Sequence, residues 1–432
     1  MEGLLRSPRG TRDYFGSDQE LRKYIRKIIE GVFEKYGYQE AETPILNHYD
    51  TLAQKYAGGA EILKEVYRLK DQGGRDLALR YDLTVPFARL VGLNSQIGNS
   101  FRRYEIGKVF RDGPIKAGRL REFVQCDVDM VGVKSLIAEA ELIVMAADIF
   151  DNLGLQVVIQ YNNRKLLESV LKRAGVDDNQ LSDVILSLDK LEKIGEEAVT
   201  AEIIKKGIEK QIIEETFTQL THIFENGLTA ELSEGTEEIR ELQNYIYALG
   251  IEDKTRFTPF LARGLEIYTG TIFEVFLENS EITSSVASGG RYDRIIGSFL
   301  GDKCNEREYP AVGISFGLDV MFQALVEKGV SNTSKVDVYI IPLGTQIVAL
   351  QIAQELRKQG YKVLIDMEDR RLKKSLDYAN KNGIDRVIIL GSEEVGKHSI
   401  RIKYMDNGTE QLILQQEFIS NTDKYLKGQA AR

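Results

Sequence analysis

The chain has 432 residues, 43% of them apolar and 28% charged, with a net charge of −9, which is the composition of a folded, multi-domain protein rather than a disordered one. The acidic balance excludes a protein that coats nucleic acid through bulk charge, but not one with a local basic groove. Two cysteines, Cys126 and Cys304, and three scattered histidines give no metal or redox spacing, and no apolar run is long enough to span a membrane, so a cytoplasmic protein without disulfides is expected.

In chain order, Ser17 and Glu20 read as a capping box before an amphipathic helix. Its apolar positions, Leu21, Tyr24, Ile25, Ile28, Ile29, Val32 and Phe33, recur at helical spacing, and Gly37 stops it. A short strand ending at Thr43-Pro44 follows. Residues 66–71 and 76–80 then read as a hairpin around Gln72-Gly73-Gly74. The second strand runs into L-R-Y-D-L-T-V-P at 79–86, where Pro86 suits the first turn of a helix and Thr84 can cap it. Asp82 thus sits at a strand-to-helix corner, either reaching a cleft or capping the helix.

The stretch 105–132 reads as two strands joined by a loop broken at Gly113, Pro114 and Gly118. From Arg121 to Val131 the pattern alternates. Val124, Cys126, Val128 and Met130 fall on a core face; Arg121, Phe123, Gln125, Asp127 and Asp129 fall on the other. A solvated face with salt bridges is the bland reading of that second set. With Arg111 and Arg119 close in sequence, it reads instead as phosphate donors at one end and acceptors for a polar, cationic ligand at the other.

Residues 162–254 are dense in charge and helical in period, with no motif that carries chemistry. Strand signals return at 260, with L-A-R-G-L-E-I-Y-T-G at 261–270, S-S-V-A-S-G-G-R-Y-D at 284–293 and P-A-V-G-I-S-F-G-L-D at 310–319, the last a strand, turn and helix. After a polar stretch near 329–335, strands and helices alternate at 336–341, 345–358, 361–365, 371–382 and 386–390, a separate α/β domain with a largely parallel sheet. Asp406-Asn407-Gly408 marks a terminal hairpin.

These motifs, in this order, resemble the histidyl-tRNA synthetase family of class II aminoacyl-tRNA synthetases. Y-G-Y-Q-E-A-E-T-P at 36–44 is similar to motif 1, G-R-L-R-E-F-V-Q-C-D-V-D at 118–129 to motif 2, and 310–319 to motif 3. The resemblance implies an α/β fold with an α+β catalytic domain: an antiparallel sheet with helices over residues 1–325, a helical insertion at about 163–255, a linker at 326–335 and an anticodon-binding α/β domain at 336–432. It implies a homodimer, cytoplasmic, that activates histidine with ATP and Mg2+ and charges tRNA(His).

Carried over residue by residue, the resemblance makes Arg111 and Arg263 catalytic. It gives histidine to Asp82, Thr84, Gln125, Asp129, Arg263 and Tyr268, and ATP to Arg111, Arg119, Arg121 and Phe123. In the helical segment 370–379, Arg370, Arg371, Lys373 and Lys374 suit RNA phosphates, although a run of four charges is more often a solvated helix face. The chain departs from the family pattern at Gly113, at Glu266-Ile267, and at Val320, where motif 3 usually carries the arginine that takes the ATP γ-phosphate. Arg119, Arg121, Arg291 and Arg294 are the candidates to replace it. Alternatives in other classes are a regulatory subunit of an ATP phosphoribosyltransferase and a catalytically weak histidine or tRNA sensor.

Overall fold

The computed structural model describes residues 5–53, 61–94, 97, 100–115, 118–228, 233–264, 267–299, 309–330, 336–368 and 370–427. Chain contacts divide it into two compact units, 1–332 and 333–432. The second half of the expected linker, 331–335, and Glu266 and Cys304, at 265–266 and 301–308, lie outside the described residues.

The first helix, Gly16–Lys35, buries Leu21, Ile25, Ile29, Val32 and Phe33, the stripe its sequence period requires. Each side chain fully removed from water stabilises the fold by roughly 1.5–3 kcal/mol. The expected capping box does not form. Phe15 holds the cap position without a side-chain bond, and Ser17 is already inside the first turn, where its oxygen cannot reach forward to an orphan amide.

The first unit is built on an eight-stranded sheet. Its strands in chain order are β1 (Gln39–Glu40), β5 (Phe101–Phe110), β6 (Glu122–Val131), β7 (Val157–Asn163), β8 (Thr255–Phe257), β9 (Thr271–Leu277), β10 (Ala287–Arg291) and β11 (Ala311–Gly317). The intervening labels belong to a small sheet of β2 (Leu46–His48), β3 (Arg68–Lys70) and β4 (Asp76–Leu79), which contains the expected hairpin. The large sheet runs β1-β5-β6-β11-β10-β9-β7-β8. It is antiparallel except at its ends, where β1 joins β5 and β8 joins β7 in parallel. The two edge strands are therefore the shortest in it, with two and three residues.

On β6 the expected alternation is what packs. Cys126, Val128 and Met130 enter the main core with Phe33, Phe150 and Phe316, and Val124 lies against it. Helices fill the chain between β7 and β8, from Arg164–Ala174 to Glu234–Ala248. The first is capped by Asn163, whose side chain accepts from the Lys165 amide at 2.9 Å. Their apolar residues, such as Leu171, Leu220 and Ile239, belong to the same core as β6.

The second unit carries β12 (Val338–Pro342), β13 (Val363–Ile365), β14 (Arg386–Leu390), β15 (Ser399–Tyr404) and β16 (Glu410–Leu414), ordered β13-β12-β14-β15-β16. The first three are mutually parallel, and the hairpin at Asp406-Asn407-Gly408 adds two antiparallel strands. Two buried clusters, around Ile352 and Ile388 and around Tyr339 and Ile389, lie wholly within this unit. Leu412 and Leu414 on the edge strand β16 are 50% and 59% exposed. Among the described residues no helix is long and apolar enough to cross a membrane.

Candidate active site

The register of β6 builds the site. Asp129 faces Arg103 on β5 and Gly313 on β11; Asp127 faces Glu105 and Ser315; Gln125 faces Gly107 and Gly317. One strand further on, Ser288 of β10 is paired with Ser315 and with Glu274 of β9. Side chains at these paired positions project from the same side of the sheet. The glycines are required by closeness: a Cβ on Gly313 would stand 2.0 Å from the Asp129 carboxylate.

The polar wall is fully buried and extensively paired. Arg103 is 0% exposed and meets Asp129 at 2.9 Å and Glu105 at 3.6 Å. It donates to the Leu83 carbonyl at 3.1 Å and lies over the Phe87 ring, 4.1 Å from its centroid. Burial works against its charge, but Asp129, Asp127 and Glu105 outweigh that and hold it protonated. Arg80 takes the other oxygen of Glu105 at 2.6 Å, and Thr43 also donates to that carboxylate. Tyr292 donates its hydroxyl to Asp129. Burial and the facing carboxylate raise that phenol well above its ordinary pKa.

A cavity of about 40 Å³ opens against this wall. Of the predicted site residues it brings together Thr84, Asp129 and Tyr268; Asp127, Ser288, Tyr292 and Ser315 also line it. Such a volume holds little more than a water or two, so a histidine side chain needs the mouth to give way. Arg263 is tied to this lining through Ser288, to which it donates at 3.3 Å, and is paired with Glu274. The pair forms because β9 carries Glu274 back past Arg263.

Gln125 lies next along the face, donating through Nε2 to the Ser315 hydroxyl at 2.7 Å. Asp82 is buried at the corner before the helix Thr84–Leu93 and accepts from the Val85 amide at 3.0 Å. It therefore caps this helix, the task expected of Thr84, and does not line the cavity. Thr84 is itself the first helical residue and lines the cavity instead.

The predicted phosphate donors gather at the other end of the hairpin. Arg111 lies over the Phe123 ring, 5.2 Å from its centroid, and donates to the Tyr81 carbonyl at 3.0 Å. Arg121 pairs with Asp112 at 3.1 Å and Arg119 with Glu65 at 3.6 Å. Asp129 lies six steps along the strand from Phe123, about 20 Å. Arg291, a candidate for the phosphate, is excluded: it is 5% exposed, grips Glu139 at 2.6 and 2.8 Å, and donates to the Val133 carbonyl. Arg103, Asp127, Ser288, Tyr292 and Ser315 are polar residues that sequence reasoning did not assign to the site, although Ser288 and Tyr292 stand in the quoted 284–293 motif and Ser315 in the one at 310–319.

Comparison with known proteins matches residues 10–321 to histidyl-tRNA synthetase and 337–424 to an anticodon-binding domain. Histidine–tRNA ligase 1 of Bacillus thuringiensis subsp. konkukian is 51% identical over 419 residues, 94% of this chain and 97% of that protein. Histidine–tRNA ligase 1 of Bacillus cereus is 49% identical over 434 residues, covering 98% and 99%. The crystal structure of histidyl-tRNA synthetase from Nostoc sp. PCC 7120 superposes with a TM-score of 0.79 at 28% identity, covering 98% of this chain and 99% of that one. An ATP phosphoribosyltransferase regulatory subunit/histidyl-tRNA synthetase from Bacillus halodurans C shares only 20% identity, a likeness of fold alone. The chain belongs to the histidyl-tRNA synthetase family.

Proposed function

We propose that this chain is a histidine–tRNA ligase that joins histidine to ATP as histidyl-adenylate and then transfers the histidyl group to tRNA(His). The observation that carries the reading is near-full-length identity of about half to proteins of that name, together with a buried polar strand face that suits an imidazole. The regulatory-subunit alternative has a likeness of fold only.

In the first step a carboxylate oxygen of histidine attacks the α-phosphorus of ATP and pyrophosphate leaves. In the second a ribose hydroxyl of the tRNA attacks the activated carbonyl and AMP leaves. Neither step needs a protein nucleophile; both need aligned reactants and cations where negative charge grows. Arg111 and Arg263 are the proposed catalytic cations, since a guanidinium fork matches phosphate and carboxylate oxygens. Arg263 reaches substrate by exchanging Glu274 for the ligand's carboxylate.

Gln125, Asp129, Thr84 and Tyr268 form the histidine pocket, with Asp129 fixed by Arg103 and Tyr292. Asp82 contributes through its charge beside the ammonium end. Phe123 supplies a stacking face for adenine, and Arg119 and Arg121 take the outer phosphates. Magnesium carried in with ATP would supply neutralisation of phosphate charge. The carboxylates paired with Arg119 and Arg121 are Glu65 and Asp112, hard oxygen donors that suit such an ion.

The domain assignment follows the same reading: a catalytic core over 1–325 with a helical insertion at about 163–255, a linker at 326–335 and an anticodon-binding domain at 336–432. In the latter, Arg371, Lys373 and Lys374 are exposed, whereas Arg370 is engaged with Glu368 and Tyr378. A homodimer through the helix Gly16–Lys35 and Pro44, acting in the cytoplasm, completes the proposal. Histidine-dependent ATP–pyrophosphate exchange, followed by charging of tRNA(His), tests it. Exchange with another amino acid, or none, would refute it.

A further inference from the structure

Arg263 is held at the tip of its side chain alone. Nη1 meets Glu274 and Nη2 donates to Ser288, while Nε is buried without a hydrogen-bond partner. To meet a ligand's carboxylate it must release Glu274. From then on the reach of the guanidinium depends on where the backbone of 258–264 stands.

That backbone is anchored to the end of β7. Asn162 is 0% exposed, and its Nδ2 donates to the Pro259 carbonyl at 2.9 Å and to the Leu261 carbonyl at 2.8 Å. Beside it, the Thr258 amide donates to the Tyr161 carbonyl at 2.9 Å. Pro259 and Leu261 are themselves buried, so their carbonyls need donors from the protein. A side-chain amide nitrogen carries two N–H groups, a hydroxyl one and a carboxylate none. A single nitrogen serving two carbonyls two residues apart fixes the backbone between them, and Arg263 lies two residues beyond the second. The arrangement has a cost, because the Asn162 Oδ1 is left buried without a hydrogen-bond partner. Turning the amide over would set that oxygen against both carbonyls.

On its other side the same stretch meets the helices between β7 and β8. Phe260, between the two held carbonyls, stacks on Phe217 with ring centroids 6.5 Å apart. A Cβ on Gly264 would stand 3.2 Å from the Asp189 carboxylate. These contacts support the stretch from outside; Asn162 ties it to the sheet that carries the site.

We propose that Asn162 is a positioning residue for Arg263: by holding the Pro259 and Leu261 carbonyls it sets the place of the guanidinium in adenylate formation, without touching substrate. The inference rests on the histidine-activating reading above and on the part of Arg263 in it. It goes beyond them by naming the residue through which the sheet controls that cation.

The consequence is non-additivity. A reacting group misplaced by about 1 Å costs on the order of 10²-fold in rate, so Asn162→Ala is expected to lower the kcat of histidine-dependent exchange about 10- to 100-fold. The KM for ATP stays within about twofold. Once Arg263 is alanine there is no cation to misplace, and the same substitution then costs less than about twofold. A general weakening of the fold costs the same factor in both backgrounds.

The experiment is this double-mutant cycle in ATP–pyrophosphate exchange, on full-length wild type, Asn162→Ala, Arg263→Ala and the double variant, at a temperature where melting curves show all four folded. Asn162→Ser, which keeps one donor, is the second variant and is expected to lose less than alanine. Equal factors in both backgrounds, or an unchanged kcat in Asn162→Ala, overturn the proposal. Failure of both Asn162 variants to fold overturns it as well, since the residue is then structural. A normal rate in Arg263→Ala removes the cation and its positioning residue together. Wild-type exchange with additive factors refutes the role of Asn162 alone, and wild type without histidine-dependent exchange refutes the functional reading itself.

Discussion

Gly118 lies against Val320: a Cβ on Gly118, whose φ is +70°, would come 3.2 Å from the valine Cγ2. The loop between β5 and β6 thus rests on the first turn of the helix Leu318–Glu327, where relatives' motif 3 places an arginine. Valine offers phosphate no donor. With Arg291 locked to Glu139, Arg119, Arg121 and Arg294 remain as the proposed holders of the outer phosphates. Val320→Arg is expected to lower the KM for ATP in pyrophosphate exchange about ten- to a hundredfold, the value of roughly 1.5–3 kcal/mol for a charge-assisted contact. Histidine KM should not move. An unchanged ATP KM would show that the loop contact keeps the new side chain out.

Asp129→Ala is a poorer probe than the strand pattern alone implies. Arg103 is fully buried beside it, and stranding such a cation costs about 3–5 kcal/mol. Asp129→Asn keeps the volume and an acceptor for Tyr292. Its expected effect is at least tenfold weaker histidine binding by calorimetry, with ATP binding retained. Unchanged histidine affinity would remove Asp129 from the pocket.

Arg263→Ala should slow adenylate formation by about 10²–10³, the usual cost of one preorganised donor. It also strands Glu274, whose side chain is 12% exposed. The double variant Arg263→Ala/Glu274→Gln separates the two effects: melting temperature recovers and pyrophosphate exchange does not. Recovery of both would make the pair structural.

Much of this site was legible because its signals are local. Alternation along 121–131 needs only the strand's own geometry, and it placed Phe123, Gln125 and Asp129 correctly on one face. Arg103, Ser315 and Glu274 were not legible, since what brings them to β6 is register across four strands. The capping of the helix Thr84–Leu93 shows the same limit at short range. Asp82 and Thr84 are both good caps by residue type, and only the backbone of the corner decides that Asp82 reaches the Val85 amide. The capping box at Ser17 failed because the helix begins one residue before it.

A chain ending at Gly329 is expected to keep histidine-dependent pyrophosphate exchange within about twofold, an order-of-magnitude allowance for a site whose residues all precede 320. Its charging of tRNA should fall by at least tenfold, the scale of a lost phosphate-binding surface. The second unit's two apolar clusters lie wholly within it. Equal charging by both forms would refute the anticodon-binding assignment.

The edges of the large sheet and of the second unit's sheet differ in how they would meet another chain. A strand at an edge invites another chain to add on, and the invitation grows with its length and apolarity. Strands of two and three residues close the large sheet, which leaves an intruder almost no ladder to grip. The second sheet ends in five-residue β16, with Leu412 and Leu414 turned to solvent. In a concentrated or partly unfolded sample, strand-by-strand growth therefore has its foothold at the carboxyl-terminal unit, and a lysine at either leucine is where a more soluble form of the protein begins.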